Sequence, residues 1–355
     1  MMHPAHRVRR RWRTLACLSF ACLSFVGTLA FVPATTRPRA DGFGPGARVL
    51  LDAHNAYPER GQWADRIDRA LATGLPLAIE QDLYWYQPAG SPGYTSVVAH
   101  DDDALAGAPS FEQHFLERIR PLMERALAEN QRDSWPLIVL NLDFKDNVPA
   151  HLDHVWRVIG RYDAWLTTAP RTNTPDRAEA LTVGPLLVLS GSDSAQRRRF
   201  HDEIPVGDRL RIFGAVVPSK VDGATKGMRA KRAMRMTAAD HLPRPADNFA
   251  RWANFPWSVV EEGGQNNARA WTASDSTRLE SLVQRAHAQR LWIRFYTLDG
   301  FGRADNRGFS ASYNFGSLTS ARTRWQAAIR TGVDFIATDQ YADFAAERAG
   351  ARTGR

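Results

Sequence analysis

The chain has 355 residues, 44% of them apolar and 24% charged, so its composition allows a complete hydrophobic core for one large domain or two ordinary ones. Both cysteines, Cys17 and Cys22, lie in the N-terminal segment, which excludes thiol catalysis, zinc–thiolate sites and disulfides from a chain that has lost that segment. The formal charge of +8 would then fall to +3, since 41 basic and 38 acidic residues would remain, and this balance does not indicate a nucleic-acid partner.

The N-terminal segment combines a basic head with an apolar run. Five arginines precede residue 14, and the apolar run extends from Leu15 to Val32, followed by Pro33 and Ala34 as a small-residue cleavage site. This pattern predicts a signal peptide over residues 1–34 and export to the periplasm or the extracellular space. An uncleaved membrane anchor is the alternative, because the run is near the short end for a membrane span.

Short apolar strands alternate with amphipathic helices from residue 47 to residue 345, between a Pro/Gly/Arg-rich linker (35–46) and a flexible tail (346–355). Such alternation is typical of parallel strands with helical crossovers. Eight strands predict an α/β fold, a single (β/α)₈ TIM barrel, with an open doubly wound sheet as the alternative. The predicted strands are Arg48–Asn55, Leu77–Trp85, Pro136–Lys145, Leu186–Ser190, Leu210–Val217, Trp257–Glu262, Leu291–Leu298 and Asp334–Asp339; the predicted helices are Trp63–Ala72, Phe111–Glu129, Ala150–Leu166, Ala195–Glu203, Thr277–Gln289 and Thr319–Thr331.

Polar side chains share one face of several predicted strands, near the carboxyl ends. Side chains alternate across a strand, so Glu80 and Asp82 share a face, as do Asp143 and Lys145. The first strand ends at His54. Active sites of (β/α)₈ enzymes lie at the carboxyl ends of the strands. We therefore expect one cluster there, made of Glu80, Asp82, Asp143, His54, His100 and Lys145.

The chemistry of this cluster suits cleavage of a phosphodiester. Three carboxylates in one pocket repel each other unless a cation is present, and oxygen ligands without cysteine favour Ca²⁺ or Mg²⁺. Glu80, Asp82 and Asp143 are therefore the predicted metal ligands. His54 and His100 could supply a general base and a general acid, since imidazoles titrate near neutrality. The metal and a nearby lysine would balance the phosphate charge.

Three further predictions concern the substrate phosphate. Lys145 is expected to contact it, with pairing to its i, i−2 neighbour Asp143 as the alternative. Asn55 would touch metal or phosphate, or else cap or turn the backbone. Arg294 shares a strand face with Trp292 and Tyr296 and would bind phosphate, or else form a structural salt bridge.

Five motifs in chain order carry a family resemblance: AHNAYPE, IEQDL, VVAHD, LNLDFK and TGVDFIATD. Together they resemble the PLC-like phosphodiesterase superfamily, which includes glycerophosphodiester phosphodiesterases, phosphatidylinositol-specific phospholipases C and sphingomyelinase D-type enzymes. The matches cover nearly the whole chain after the signal segment. The resemblance implies a PLC-like barrel with His54 and His100 as the acid/base pair and Glu80, Asp82 and Asp143 as metal ligands.

The resemblance also implies an exported, metal-dependent phosphoric diester hydrolase acting on a phospholipid or a glycerophosphodiester. The glycerophosphodiesterase pattern has His-Arg-Gly at the first site, whereas this chain has His54-Asn55-Ala56, which is closer to the phospholipase C branch. Metal-independent bacterial phospholipases C place an arginine where the metal would lie. The intact acids here favour metal dependence.

Two other functions stay open on the sequence. One is a catalytically inactive barrel that binds a phospholipid or a cell-wall ligand. The other is a glycoside hydrolase that uses Glu80 and Asp143 as paired carboxylates. The basic run from Lys220 to Arg235 is either a solvated helix or loop, or a peripheral contact with an anionic membrane surface. The sequence leaves the oligomeric state and the leaving group open.

Overall fold

The computed structural model describes residues 42–219, 221–261, 269–302, 304–305 and 314–353. The predicted signal peptide and residues 35–41 of the predicted linker lie outside them. Chain contacts separate Met1–Pro38 from a second compact unit, Arg39–Arg355, and the fold below is that of the second unit. In the described part of the chain, no helix has the length and apolar character needed to cross a bilayer.

Eight parallel strands form the barrel predicted from the sequence. Their order in the sheet is β6-β4-β2-β1-β11-β10-β9-β8, which is chain order around a ring. A parallel bridge between Leu189 and Phe213 joins β6 to the start of β8 and completes that ring. The strands are β1 Leu50–Ala53, β2 Leu77–Tyr86, β3 Thr95–Val98, β4 Ile138–Phe144, β5 Ala169–Pro170, β6 Leu186–Leu189, β7 Arg209–Leu210, β8 Gly214–Ala215, β9 Ala250–Pro256, β10 Trp292–Tyr296 and β11 Phe335–Thr338.

Helices follow the barrel strands and pack on the outer face of the sheet. Two helix ends show how the sequence sets these boundaries. Before α7, Thr272 accepts a hydrogen bond from the Asp275 amide (3.2 Å) and Asp275 accepts one from the Thr272 amide (2.9 Å), a capping box. After α8, Gly332 adopts a left-handed φ of 84° that favours glycine. The helices are α1 Arg66–Leu71, α2 Glu117–Glu129, α3 Pro149–Gly160, α4 Ser194–Arg197, α5 Lys226–Ala233, α6 Ala238–His241, α7 Ala273–Ala288, α8 Leu318–Thr331 and α9 Tyr341–Thr353.

The barrel interior changes from apolar to polar along the strands. Near the strand starts, Leu50, Val139, Trp252 and Trp292 belong to one buried apolar cluster inside the sheet. Two residues further along, inward-facing positions carry polar side chains, because strand side chains alternate with a period of two. The apolar cluster therefore forms the floor on which the polar groups at the carboxyl ends of the strands are built.

The structure corrects several predicted elements. The predicted strand Trp257–Glu262 is wrong where the structure describes it: the strand is β9, and Trp257–Val259 form a 3₁₀ turn after it. Its apolar residues are buried by packing and not by strand pairing, since Pro256 ends the strand. Helix α9 continues to Thr353, into the predicted tail. Strand β3 was not predicted; it pairs antiparallel with the end of β2.

Acid is expected to destabilise the protein through His114. Burial lowers the pKa of His114 to about 4, below its usual value, while its Nε2 contacts the Ala56 carbonyl at 3.2 Å. The folded state thus binds fewer protons than the unfolded state, so this contribution is fully present above pH 6.5 and is lost as pH falls towards 4. Between pH 7 and pH 4.5, we expect the free energy of unfolding of His114→Phe to fall by about 2 kcal/mol less than that of the wild type. Urea unfolding at pH 7, 5.5 and 4.5 measures this free energy for both proteins. An equal decrease with pH in the two proteins would contradict the prediction.

Candidate active site

A polar cavity of about 240 Å³ lies at the carboxyl end of the barrel. Its lining comes from β2, β4, β9 and β10 and from residues that follow β1, β3, β4 and β6, as expected where polar side chains end the parallel strands. All eight residues singled out from the sequence line this one cavity: His54, Asn55, Glu80, Asp82, His100, Asp143, Lys145 and Arg294. The structure thus brings the predicted cluster together, while the roles of its members stay predictions.

His54 lies immediately after β1 and is held from two sides by carboxylates. Its Nδ1 lies 2.8 Å from Asp339 Oδ1, and its Nε2 lies 3.4 Å from Glu80 Oε2. Burial alone would lower the pKa of His54, but Glu80 and Asp339 outweigh it and raise this pKa to about 9. The two acids therefore fix the ring orientation and favour its protonated form.

Asn55 turns the chain at the end of β1 with a left-handed φ of 53°. Its backbone amide donates to Glu80 Oε2 (3.2 Å), and its side-chain amide donates to Asp339 Oδ1 (3.0 Å). Its side-chain oxygen accepts the Tyr57 hydroxyl at 2.7 Å. These contacts favour the backbone-turning alternative, because the amide group is already engaged by the protein.

The three predicted metal ligands carry different charges. Burial opposes ionisation of Glu80, but His54 and Arg294 hold its pKa at about 2. Burial raises the pKa of Asp82, and the negative charges of Asp143 and Glu80 act in the same direction. Together they outweigh Lys145, which lowers this pKa, and bring it to about 8. The Asp143 side chain is half exposed. At neutral pH Glu80 is therefore ionised, whereas Asp82, the most enclosed of the three, is mostly protonated.

Lys145 bridges two of these carboxylates. Its Nζ lies 2.7 Å from Asp82 Oδ2 and 2.7 Å from Asp143 Oδ2, and its side chain is one-fifth exposed. The predicted alternative, pairing with Asp143, is thus present, but it is shared with Asp82. The shared contact places the ammonium group at the cavity wall. There it can also face an anion, since an ammonium group has three donors.

Arg294 is engaged by the protein through all three nitrogens. Its Nε donates to Asp52, its Nη1 to Asn254 Oδ1 (3.1 Å) and its Nη2 to Glu80 Oε1 (3.0 Å). The side chain is 2% exposed. This geometry favours the structural salt bridge over the predicted phosphate contact. Arg294 sets the position and charge of Glu80 from inside the barrel.

The carboxylates fit a hard divalent cation. Glu80, Asp82 and Asp143 can each offer one oxygen, and these atoms lie within 4.8 Å of one another. Oxygen donors of this kind suit Ca²⁺ and Mg²⁺. Burial and the neighbouring carboxylates raise the pKa of Asp82, so its ionised form lacks sufficient positive charge nearby. A cation bound between the three carboxyl groups would supply that charge and favour the ionised form.

His100 follows β3 on a loop at the cavity rim. Its Nδ1 lies 2.9 Å from Asp101 Oδ1, and its backbone amide donates to the buried Glu59 at 3.4 Å. Its side chain is 27% exposed, against 10% for His54. The two imidazoles therefore face the same cavity from different surroundings, one buried among acids and one near solvent.

Sequence reasoning left the supporting layer behind His54 largely unassigned. Asp339 accepts from Arg66 Nη1 at 3.1 Å as well as from His54, and its backbone amide donates to Asp299. Burial and Asp339 raise the pKa of Asp299 to about 7. The Tyr57 hydroxyl donates to Asp82 Oδ2 at 2.6 Å. One sequence signal could have identified Asp339: it is an acid that directly follows a barrel strand, and it ends the last motif, TGVDFIATD.

Replacing Asp339 with asparagine is expected to lower kcat about 100-fold, because a neutral amide replaces the carboxylate that fixes the tautomer of the His54 ring and stabilises its protonated form. The matched control is Asp334→Asn at the start of the same strand. Asp334 is also buried and lies 2.9 Å from a histidine, His287, but outside the cavity. Steady-state kinetics and thermal unfolding of both variants separate the effects. Equal activity losses in the two variants would contradict a positioning role for Asp339.

No family model and no curated protein matches the sequence. The chain is similar to a solved glycerophosphoryl diester phosphodiesterase from Parabacteroides distasonis, with 14% identity, a TM-score of 0.41 and 88% of each chain covered. It is also similar to a calcium-dependent phosphoinositol-specific phospholipase C from Pseudomonas sp, with 14% identity, a TM-score of 0.45 and 86% of this chain and 93% of that chain covered.

A third similar structure is HPPK-DHPS of Plasmodium falciparum, with 7% identity, a TM-score of 0.40 and 87% of this chain and 48% of that chain covered. At these identities the likeness is one of fold, and any activity must be argued from this chain's own side chains.

Proposed function

We propose that this protein is a phosphoric diester hydrolase of the phospholipase C and glycerophosphodiesterase type. The observation that carries the proposal is one cavity that combines two imidazoles, three carboxylates and a lysine, at the carboxyl end of the barrel. A neutral substrate would not need this density of charge. A phosphodiester is anionic and also requires proton transfer at both the attacking and the leaving oxygen.

Proton transfer falls to His54 and His100. One imidazole accepts a proton from the attacking hydroxyl group, and the other donates a proton to the leaving oxygen. Asp339 and Glu80 hold the His54 ring in place, and Asp101 contacts His100 at 2.9 Å. A neighbouring hydroxyl of the substrate is the proposed nucleophile, which gives a cyclic phosphate that water can then open.

Charge balance falls to Lys145 and to a divalent cation. We propose that Glu80, Asp82 and Asp143 hold Ca²⁺ or Mg²⁺, which would supply Lewis-acid stabilisation of the phosphoryl oxygens. Lys145, already between two of these carboxylates, faces the non-bridging oxygens of the substrate. Tyr57 keeps Asp82 in position through its 2.6 Å hydrogen bond.

The proposed substrate is a phospholipid or a glycerophosphodiester outside the cytoplasm, following export directed by residues 1–34. A peripheral contact with an anionic membrane surface fits the basic segment that follows β8. Helix α5 carries Arg229, Lys231 and Arg232 on exposed positions, and the nearby Met228 and Val217 are exposed apolar residues. Such a pairing of basic and apolar side chains suits the surface of an anionic bilayer.

Turnover with and without chelator tests the proposal. The substrates are phosphatidylinositol and glycerophosphocholine, both of which carry a hydroxyl beside the phosphodiester, each assayed with EDTA, Ca²⁺ or Mg²⁺. We expect hydrolysis that EDTA abolishes and one of the two cations restores. Activity that survives EDTA would contradict the cation and leave the acids with structural roles. An inert protein under all conditions would favour the ligand-binding alternative, and hydrolysis of glycosides instead would favour the carboxylate mechanism.

A further inference from the structure

Three buried arginines of the barrel are each paired with an acid. Arg66 contacts Asp339 at 3.1 Å, Arg294 contacts Glu80 at 3.0 Å, and the Arg324 guanidinium contacts Glu261. Pairing of this kind is expected, because a buried charge without a counter-charge is costly.

Arg251, the second residue of β9, departs from this rule. It is 6% exposed, yet it forms no ion pair with any acid among the described residues. Its Nη2 donates to the Glu179 backbone carbonyl at 2.9 Å, its guanidinium lies 5.6 Å from the Phe213 ring centre, and its Nε has no hydrogen-bond partner there. Burial lowers the pKa of Arg251 to about 10, despite the more distant Asp247 and Glu179.

The nearest acids are already engaged. Asp247 lies 2.9 Å from Arg197, and Glu179 lies 3.6 Å from Arg177. The guanidinium of Arg251 thus carries a buried positive charge that no acid in the described part of the protein contacts directly. An external anion would supply the missing counter-charge and hydrogen-bond acceptor.

Arg251 also lines a cavity of about 760 Å³ at the opposite end of the barrel from the candidate active site. The position follows from the lining, because Trp135, Val183, Arg290 and Trp292 lie at or before the first residues of barrel strands. The volume falls within the range of small-molecule sites.

Four arginines and three aromatic residues line this cavity, together with two acids, Asp133 and Glu179. Phe43 and Trp292 pack with ring centres 4.9 Å apart, and the Arg132 guanidinium lies 5.0 Å from the Trp135 ring centre. Arg290 is exposed at the rim and forms no ion pair within the described residues. Arginine and aromatic groups together suit a molecule with an anionic head and an apolar body.

We propose that this cavity binds a small organic anion, a carboxylate or phosphate attached to an apolar group, with Arg251 pairing to the anionic head. The site is separate from the candidate active site and does not depend on the proposed hydrolysis. The apolar body would lie against Phe43 and Trp292, and Arg290 would add a second, solvent-exposed contact to the head.

Isothermal titration calorimetry with hexyl phosphate, hexanoate and 1-hexanol tests the proposal. We expect at least one of the two anions to bind the wild-type protein at least tenfold more tightly than it binds Arg251→Gln, and hexanol to bind neither. The tighter anion identifies the head group. Lys145→Met is the control for binding in the candidate active site, and its affinity should match that of the wild type. Absence of binding, or binding lost in Lys145→Met and kept in Arg251→Gln, would overturn the proposal.

Two more variants keep the test decisive. If Arg251→Gln fails to fold, Arg290→Gln at the exposed rim should still weaken binding about threefold or more, and an unchanged affinity would count against the site. Asp41 is the only acid in residues 1–41 and lies outside the described residues. If anion binding appears only in Asp41→Asn, the chain itself supplies the counter-charge, and the proposal of an external ligand is wrong.

Discussion

Replacing His54 with alanine is expected to lower kcat/KM for a phosphodiester by about 1,000-fold, because the variant loses a proton-transfer group. The loss should appear mainly in kcat, since the proposed charge contact of Lys145 with the substrate is left intact by this substitution. The measurement is steady-state kinetics on glycerophosphocholine, whose glycerol hydroxyl can attack phosphorus, at pH 7 with the cation that supports wild-type turnover.

The matched control for this variant is His154→Ala on helix α3. His154 is half-buried and lies 5.2 Å from the Trp85 ring, outside the cavity. The control should keep activity within threefold of the wild type. A His54→Ala protein that is folded and still turns over at near wild-type rate would remove His54 from the mechanism.

Replacing Lys145 with methionine is expected to lower kcat/KM about 100- to 1,000-fold, since one charged donor to the phosphoryl group is lost. The variant should still fold, because burial raises the pKa of Asp82 to about 8 and a neutral Asp82 tolerates the loss of its ammonium partner at pH 7. Lys145→Arg should not restore activity, as a planar guanidinium cannot replace a point charge between two carboxylates.

Lys231→Met is the matched control, because Lys231 is exposed on helix α5. Turnover of the soluble diester should be unchanged in it. If Lys145→Met keeps full activity while thermal unfolding shows a lower melting temperature, Lys145 serves only the pairing of Asp82 with Asp143.

Local patterns in the sequence predicted the barrel and the members of its cavity. Glu80 with Asp82, and Asp143 with Lys145, follow from the two-residue period of a strand, and the barrel brings the carboxyl ends of the strands together. Sequence reasoning misplaced the strand at 257–262. An apolar run indicates that its residues are buried, but not whether strand pairing or other packing buries them.

Interactions between distant strands could not be predicted in this way. The partners of Arg294 are Asp52, Glu80 and Asn254, which lie on three other strands, so only the closed ring decides between a salt bridge and a phosphate contact. The lack of an acid in contact with Arg251 among the described residues also depends on how distant segments pack. A single sequence shows that an arginine is present, but not which acids are within reach of it.

Residues that follow the first and the last strand of the barrel together hold one histidine in place. His54 follows β1, whereas Asp339, which fixes its ring, follows β11, and the Tyr341 hydroxyl at the start of α9 donates to the His54 carbonyl at 2.6 Å. These contacts exist only when β1 and β11 are paired, because one partner follows each of the two strands. The orientation of the His54 ring therefore depends on closure of the whole barrel, and a chain whose β11 has not paired with β1 would leave this imidazole without its carboxylate support.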